Sequence, residues 1–357
     1  MNPATPLHIA PTGPGAELWD AYRDNLPRHL LGVSRYLQTG MMHKLQTDCD
    51  HRSLRLGFAP YMILIGDNGR RLSDLAETLG ISRQACNQAI KQIEAAGYVC
   101  RRADPADGRA KQLVLTAAGQ RLRRDGARVV RDFDIEFTDI LGESTAVATT
   151  RALGKIYRQL HLGPAVDGPD IGAYDGFGAL LPRLSDYTLQ RLMELTGNHG
   201  HPGLKLSFGQ VLTLIGPEGG RIQQIAAIQD VSKQAISAIA SELETLGYLH
   251  REIDSEDARQ ILLRFTPRGE ALIADSVASI AELENEFAAI TGQRALTQLK
   301  QAMRRLYQGL LLEQDVFEGV DGSDLAQLAA QLRKRLGSSA SRTLGDLLLN
   351  TDDINRD

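Results

Sequence analysis

Apolar residues between Trp19 and Leu45 recur at Leu26, Leu30, Val33, Leu37 and Met41, the three-and-four spacing that predicts one long helix with a buried stripe. A short apolar segment, Phe58 to Ile65, then closes at the turn Gly66-Asp67-Asn68-Gly69. Two further helices are predicted over Leu72 to Leu79 and Ser82 to Ala95, and the Gly80-Ile81 link between them has the length of a helix-turn-helix connection. Tyr98 to Arg102 and Lys111 to Thr116 read as strands on either side of the turn-rich Asp104-Pro105-Ala106-Asp107-Gly108. A long helix from Ala117 to about Leu141 and another from Glu143 to Leu160 complete the pattern. Helix, turn, helix and hairpin, in that order, predict a winged helix.

The segment from Phe58 to Gly119 returns without a gap as Phe208 to Gly269, every matched pair differing by 150 in number. Ile65 and Ile215, Ser82 and Ser232, Gln84 and Gln234, the Gly97-Tyr98 and Gly247-Tyr248 pairs, Arg101 and Arg251, and Thr116 and Thr266 all keep that register. Two copies of a domain-sized period argue against a solenoid. They predict a mainly α chain with small β-wings, an α+β fold: a tandem winged helix-turn-helix forming a pseudo-two-fold fused dimer with a helical dimerisation region. The expected divisions are a flexible N-terminus (1–17), a first protomer (18–162), a linker (163–176), a second protomer (177–312) and a tail (313–357). The linker has the composition of one, running Gly163-Pro164-Ala165-Val166-Asp167-Gly168-Pro169 and on through Gly172 and Gly176. In the tail, Leu325, Leu328, Leu332 and Leu336 predict a helix from Asp324 to Leu336, suited to covering a groove or to self-association, with polar, disordered residues from Thr351 to Asp357.

At 357 residues and 43% hydrophobic, the chain can build two or three cores of ordinary size. No basic start precedes an apolar run, and no stretch approaches the roughly 20 apolar residues of a membrane span, so a cytoplasmic protein without membrane contact is expected. Cys49, Cys86 and Cys100 have neither metal-ligand spacing nor the even count of a disulfide framework, which fits a reducing compartment. A net charge of -4 gives no global attraction to nucleic acid, so such binding requires a local basic surface. The chain offers no nucleophile with its base, no paired carboxylates in a plausible cleft, no phosphate-binding glycine loop and no zinc spacing. No enzymatic activity, cofactor or metal is therefore expected.

The helix beginning at Ser82 carries the main chemical signal. Ser82 suits an N-cap, and Ala85, Cys86, Ala89, Ile90 and Ile93 are expected to pack inward. The opposite face presents Arg83, Gln84, Asn87, Gln88, Lys91 and Gln92, amide and cationic groups suited to purine edges and phosphates, with no acid among them. A solvated helix face has the same composition. The context favours DNA: this is the second helix of a helix-turn-helix, followed by Arg109 and Lys111 on the hairpin and by Arg121, Arg123, Arg124, Arg128 and Arg131 beyond it.

The wing and its exit, Asp104-Pro105-Ala106-Asp107-Gly108-Arg109, Leu113-Val114-Leu115-Thr116 and Gly119, resemble those of the MarR transcriptional regulators. The second copy repeats them as Asp254-Ser255-Glu256-Asp257-Ala258-Arg259, Thr266 and Gly269, and the resemblance spans roughly residues 20–162 and 177–312. It implies a winged-helix dimer whose terminal helices interlock, so that a short linker can join two protomers. It also implies that Arg109 and Arg259 enter the minor groove, supported by Asp107 and Asp257. The chain departs from the family pattern in carrying both protomers itself, and in Pro60 where the second copy has Gln210, which bears on where that helix starts.

The expected DNA-contacting set is Ser82, Arg83, Gln84, Asn87, Gln88, Lys91, Arg109 and Lys111 in the first head, and Ser232, Lys233, Gln234, Ser237 and Arg259 in the second. The heads have diverged: the second face reads Lys233, Gln234, Ser237, Ala238, Ser241 and Glu242, and its wing carries Glu252, Asp254, Glu256 and Asp257. The expected partner is therefore double-stranded DNA with an imperfect palindromic operator, bound mainly by the first head of a single-chain pseudo-dimer. Relatives often bind small aromatic acids in the cleft between helical and winged parts, which would place an effector near Tyr36, Met41, Tyr61, Tyr187 and Met193, residues equally suited to core packing. Cys86, on the inward face, reads as a buried thiol rather than a redox switch, and Cys100 as a partly exposed, tolerant position. His199-Gly200-His201 reads as plain loop rather than a metal site, and no geometry unites His43, Cys49 and His51. The leading function is a ligand-released repressor. The alternative is a tandem winged-helix module that binds proteins in a chromosome- or transcription-associated complex, which calls for acidic or apolar recognition faces.

Overall fold

The computed structural model describes residues 15–104, 107–163, 176–229, 231–254 and 260–312, without the side chains of 16, 107–109, 210 and 228. The tail with its Asp324 to Leu336 helix, most of the linker, and the wing-tip side chains of Asp107, Arg109, Asp257 and Arg259 lie outside the described residues.

The first copy begins with α1 (Ala16–Arg23) and α2 (Leu26–Thr47), where a single helix is expected from the apolar spacing. The break has a local cause. Pro27 lies in the first turn of α2, where its missing N–H costs nothing, whereas inside a continuous helix it would clash with the preceding turn. Asn25 serves both ends: its Oδ1 accepts from Arg28 N (2.9 Å) and its Nδ2 donates to the carbonyls of Ala21 and Tyr22 (both 3.0 Å). Next comes α3 (Ala59–Ile65), a helix formed by the short apolar segment, with Pro60 again harmless in its first turn. β1 (Arg70–Arg71), α4 (Leu72–Leu79), α5 (Arg83–Ala95), β2 (Val99–Asp104), β3 (Asp107–Leu115), α6 (Ala117–Leu141) and α7 (Glu143–Gln159) complete the copy. The strands form an antiparallel sheet in the order β1-β3-β2, the two-residue β1 being a third strand that its length hides from periodicity.

The second copy repeats this as α8 (Phe177–Asn198), α9 (Leu206–Ile215), β4 (Gly220–Arg221), α10 (Ile222–Ile228), α11 (Lys233–Thr245), β5 (Leu249–Ile253), β6 (Ile261–Phe265), α12 (Pro267–Thr291) and α13 (Gln293–Gly309). Register repeats as well as order: Arg70 faces Leu113 and Val99 faces Leu115, as Gly220 faces Leu263 and Leu249 faces Phe265. Gly119 and Gly269 hold corresponding places. Each lies so close to a backbone carbonyl, of Tyr98 or Tyr248, that an added Cβ would overlap it, which seats the long helix directly on the end of the recognition unit.

The two copies interlock. α2 packs along α8, α13 of the second copy lies on α2 and α6 of the first, and α7 lies on α8 and α12. Gly32 of α2 lets the Tyr307 ring of α13 lie against its backbone. The buried core of the first head, with Ile65, Leu75, Ile90 and Leu113, runs without a break into this scaffold through Leu122, Phe133, Phe137 and Leu184. The second head encloses a separate cluster that includes Phe208, Val211, Ile236, Leu243 and Tyr248.

Candidate nucleic-acid interface

α5 is positioned by its own first turn and by its apolar face. Ser82 Oγ accepts from Ala85 N (3.1 Å), satisfying one orphan donor, and Ser232 does the same for Ala235 at the start of α11. Cys86, Ile90 and Ile93 are fully buried and Ala89 half-buried, but Ala85 is exposed, contrary to its expected inward place. It sits on the first turn, ahead of the point where α5 meets the core. Arg83, Gln84, Gln88, Lys91 and Gln92 are exposed, as are Lys233, Gln234, Ala238, Ser241 and Glu242 on α11.

Asn87 is half-buried because a wing residue holds it. Arg101 on β2 donates from Nη2 to Asn87 Oδ1 (2.8 Å) and from Nε to both oxygens of Glu94 (3.1 and 3.3 Å), so one guanidinium braces the recognition helix from behind. Arg251 does the same in the second head, donating to Ser237 O (2.8 Å) and Ser241 Oγ (3.0 Å) and pairing with Glu244 (3.2 Å). The sequence showed Arg101 and Arg251 as a repeated pair without indicating that each points at its own recognition helix. The base of each wing carries a second repeated device. Arg71 Nε meets Asp104 Oδ2, and Arg221 Nε meets Asp254 Oδ2, each at 2.5 Å with the aspartate almost wholly buried, tying β1 or β4 to the hairpin. Lys111 on β3 is exposed opposite Ala103.

Beyond the wing, Arg121, Arg124 and Arg131 of α6 are exposed, whereas Arg123 pairs with Asp67 and Arg128 with Asp125 (3.4 Å). At the five matching positions α12 has Ala271, Ile273, Ala274, Ala278 and Ala281. The cationic shoulder therefore belongs to the first copy alone.

Junction residues expected to be unrelated are brought together. His51 Nε2 lies 2.8 Å from Asp125 Oδ2 on α6, while Arg128 Nη2 reaches Cys49 Sγ (3.2 Å) and Asp125. The repeat places His201 the same way, 2.8 Å from Asp275 and 3.2 Å from the Tyr248 hydroxyl, so it is a buried tie between winged and helical parts rather than plain loop. His43 is exposed, and His199 pairs with Glu282 (2.8 Å). Hydrogen bonding from His51 holds the Asp125 carboxyl below its ordinary range, and burial pushes the Cys86 thiol up. Among the described residues no group of three or more acidic, histidine or cysteine side chains is placed to hold a metal ion.

The residues expected near an effector cleft divide. Tyr36 donates to Glu136 (2.8 Å) and packs edge-on against Phe133, Tyr187 lies over Phe287, and Met41 and Tyr61 are half-buried against the core. Met193 borders an open cavity of about 720 Å³ with Asp186, Leu204 and Lys205.

Known proteins bear on this arrangement as follows. The MarR family model matches residues 61–110 and again 203–260. No curated protein matches the chain. Similar solved structures include a MarR-family transcriptional regulator from Rhodococcus sp. RHA1, 22% identical, covering 36% of this chain and 89% of its own with a TM-score of 0.30. The YusO protein of Bacillus subtilis is 19% identical, with coverages of 40% and 99% and a TM-score of 0.33. The transcriptional regulator Tm0710 of Thermotoga maritima is 18% identical, with coverages of 38% and 94% and a TM-score of 0.31. The MarR family model thus matches each winged head separately, and the two sheets are built in one register, so the chain carries a MarR-like winged-helix unit twice.

Proposed function

We propose that the protein is a sequence-specific regulator that binds double-stranded DNA, acts as a repressor, and reads an imperfect palindrome with two unequal heads. The observation that carries this is the acid-free, solvent-exposed face of α5, with Arg83, Gln84, Gln88 and Lys91 held outward by a capped, wing-braced helix. In this assignment these residues, with Asn87, read the major groove, Ser82 and Lys111 meet phosphate, and Arg109 enters the minor groove. Lys233, Gln234, Ser237, Ser232 and Arg259 make the weaker counterpart. The inequality is supported by Glu242, which pairs with Lys205 on the second face, and by the α6 arginines that α12 lacks. An effector in the cleft bordered by Met193 would release the operator by fixing the spacing of the heads.

The test is binding to the protein's own promoter region over a salt series, with Arg83→Ala/Arg109→Ala and Lys233→Ala/Arg259→Ala variants. Affinity should fall steeply with salt, by a log–log slope of about -0.9 per phosphate neutralised, and suffer most in the first variant. Weak binding, indifferent to sequence and to both variants, would refute it in favour of a protein-binding module.

A further inference from the structure

The break between α1 and α2 opens a cavity of about 400 Å³ against α12 and α13 of the second copy. Its charged lining is two carboxylates and two cations. Asp24 Oδ2 meets Arg304 Nη2 at 2.6 Å, and Glu284 Oε2 meets Lys300 Nζ at 2.5 Å. Lys300 and Arg304 lie one turn apart on one face of α13. The Glu284 side chain is only 15% exposed, and its second oxygen, Oε1, is buried with no hydrogen-bond partner, a costly state for a carboxylate. His29 Nε2 lies 3.1 Å from Asp24 Oδ1, and burial lowers its pKa to about 4, so it is a neutral donor and leaves the sum of charges at zero.

We propose that this cavity binds a small zwitterion, an α-amino acid, with its carboxylate across Lys300 and Arg304 and its ammonium between Asp24 and Glu284 Oε1. A balanced lining attracts neither a simple anion nor a simple cation, whereas a zwitterion matches both rows and supplies the donor that Glu284 Oε1 lacks. The pseudo-two-fold mate of this site keeps a carboxylate but has neither the cations nor the histidine. Glu284, Lys300 and Arg304 correspond to Asp134, Thr150 and Gly154, and His29 to Leu180 in the matched helices α2 and α8; Asp134 accepts from Gly178 N (3.2 Å) at the start of α8. The cationic row and the histidine are thus specific to one side of a repeated scaffold, beyond anything the shared fold requires.

Occupancy is felt at the second head, because α1 and the first turn of α2 are strapped to it. Trp19 stacks 5.4 Å from Phe265 on β6, Arg28 Nη2 donates to Thr213 Oγ1 (2.7 Å), and Arg23 Nη2 donates to Thr213 O (3.4 Å) on α9. A ligand seated at Asp24, between the α1 anchors Trp19 and Arg23 and the α2 anchor Arg28, shifts the strap. The inference rests on the proposed regulatory function only in giving the strap a purpose, and its test needs no DNA.

Trp19 is the single tryptophan of the chain and reports on the strap directly. The full-length protein is titrated with each free α-amino acid at millimolar concentration, with acetate and methylamine as single-charge controls, followed by Trp19 emission and by calorimetry. At least one amino acid should bind saturably and shift the emission, while the controls do neither. Glu284→Gln and the surface change Arg304→Met should each weaken binding about tenfold or more, and Glu143→Gln, at an exposed position at the start of α7, should leave it unchanged. Circular dichroism melts establish that the variants are folded. Absence of calorimetric binding, or binding indifferent to both variants, overturns the site; binding without an emission change overturns the coupling to the second head. Loss of operator binding in the salt series would sink the proposed function while leaving these results intact.

Discussion

Gly119→Ala should be among the most disruptive single-methyl changes in the chain. A Cβ at Gly119 would lie about 1 Å inside van der Waals contact with the Tyr98 carbonyl oxygen, a backbone atom that no side-chain rotation can move aside. Relief requires α6 to retreat from the recognition unit, which pulls on the Thr116 cap (Gly119 N to Thr116 Oγ, 3.1 Å) and on the Thr116 N to Tyr98 O bond (3.0 Å). Overpacking, a weakened cap and a strained buried hydrogen bond together cost about 3–5 kcal/mol. Urea unfolding followed by circular dichroism measures it. Gly126→Ala is the control, because it lies in the same helix with nothing within 4 Å of its Cβ, and it should stabilise by up to about 1 kcal/mol. Gly269→Ala meets the same obstruction at Tyr248 in a head whose core is a separate cluster, so it should split the transition, with the second head unfolding first. A loss below about 1 kcal/mol for Gly119→Ala, or equal effects of Gly119→Ala and Gly126→Ala, would refute the reasoning.

Arg101→Ala removes the brace behind α5, and since both members of the Arg101–Glu94 pair are partly exposed, it should cost only about 1 kcal/mol of stability while weakening operator binding more than Arg251→Ala does; equal operator effects would count against the unequal heads. Asp125 titrates below its ordinary value in the folded protein, so its contribution is present above the normal carboxylate range and lost as pH falls through the folded value. Asp125→Asn should therefore be less stable near neutral pH, with the gap closing below about pH 4 in pH-dependent melts. The buried, pKa-raised Cys86 should resist iodoacetamide in the native protein while Cys49 and Cys100 react, and early labelling of Cys86 by mass spectrometry would reopen its role as a switch.

Much of the fold was legible because it is local and written twice. The bounds of α4 and α5, the Ser82 cap and the buried run Cys86, Ile90 and Ile93 follow from periodicity and capping chemistry, and the 150-residue register carries over to the strand pairings. Where local signals compete, reading by period fails: the stripe from Leu26 onward hid the α1–α2 break, although Asn25 and Pro27 were both visible. The exposed face of the candidate interface was equally legible, since side chains that avoid the core of a helix are identified by the ones that seek it.

What sequence alone determined, then, is what short-range physics controls: two winged units, their recognition helices, the charge difference between them, and the family that they resemble. The tertiary structure decided what depends on residues distant along the chain. It turned Arg101 and Arg251 onto the recognition helices, joined His51 to Asp125 and His201 to Asp275, and merged the first head with the scaffold while leaving the second as a separate core strapped by α1. It also set Asp24 and His29 opposite Glu284, Lys300 and Arg304. No period or cap spans the more than 250 residues between those groups; their meeting follows only from the way two protomers interlock, because packing, not sequence spacing, chooses which faces share a cavity.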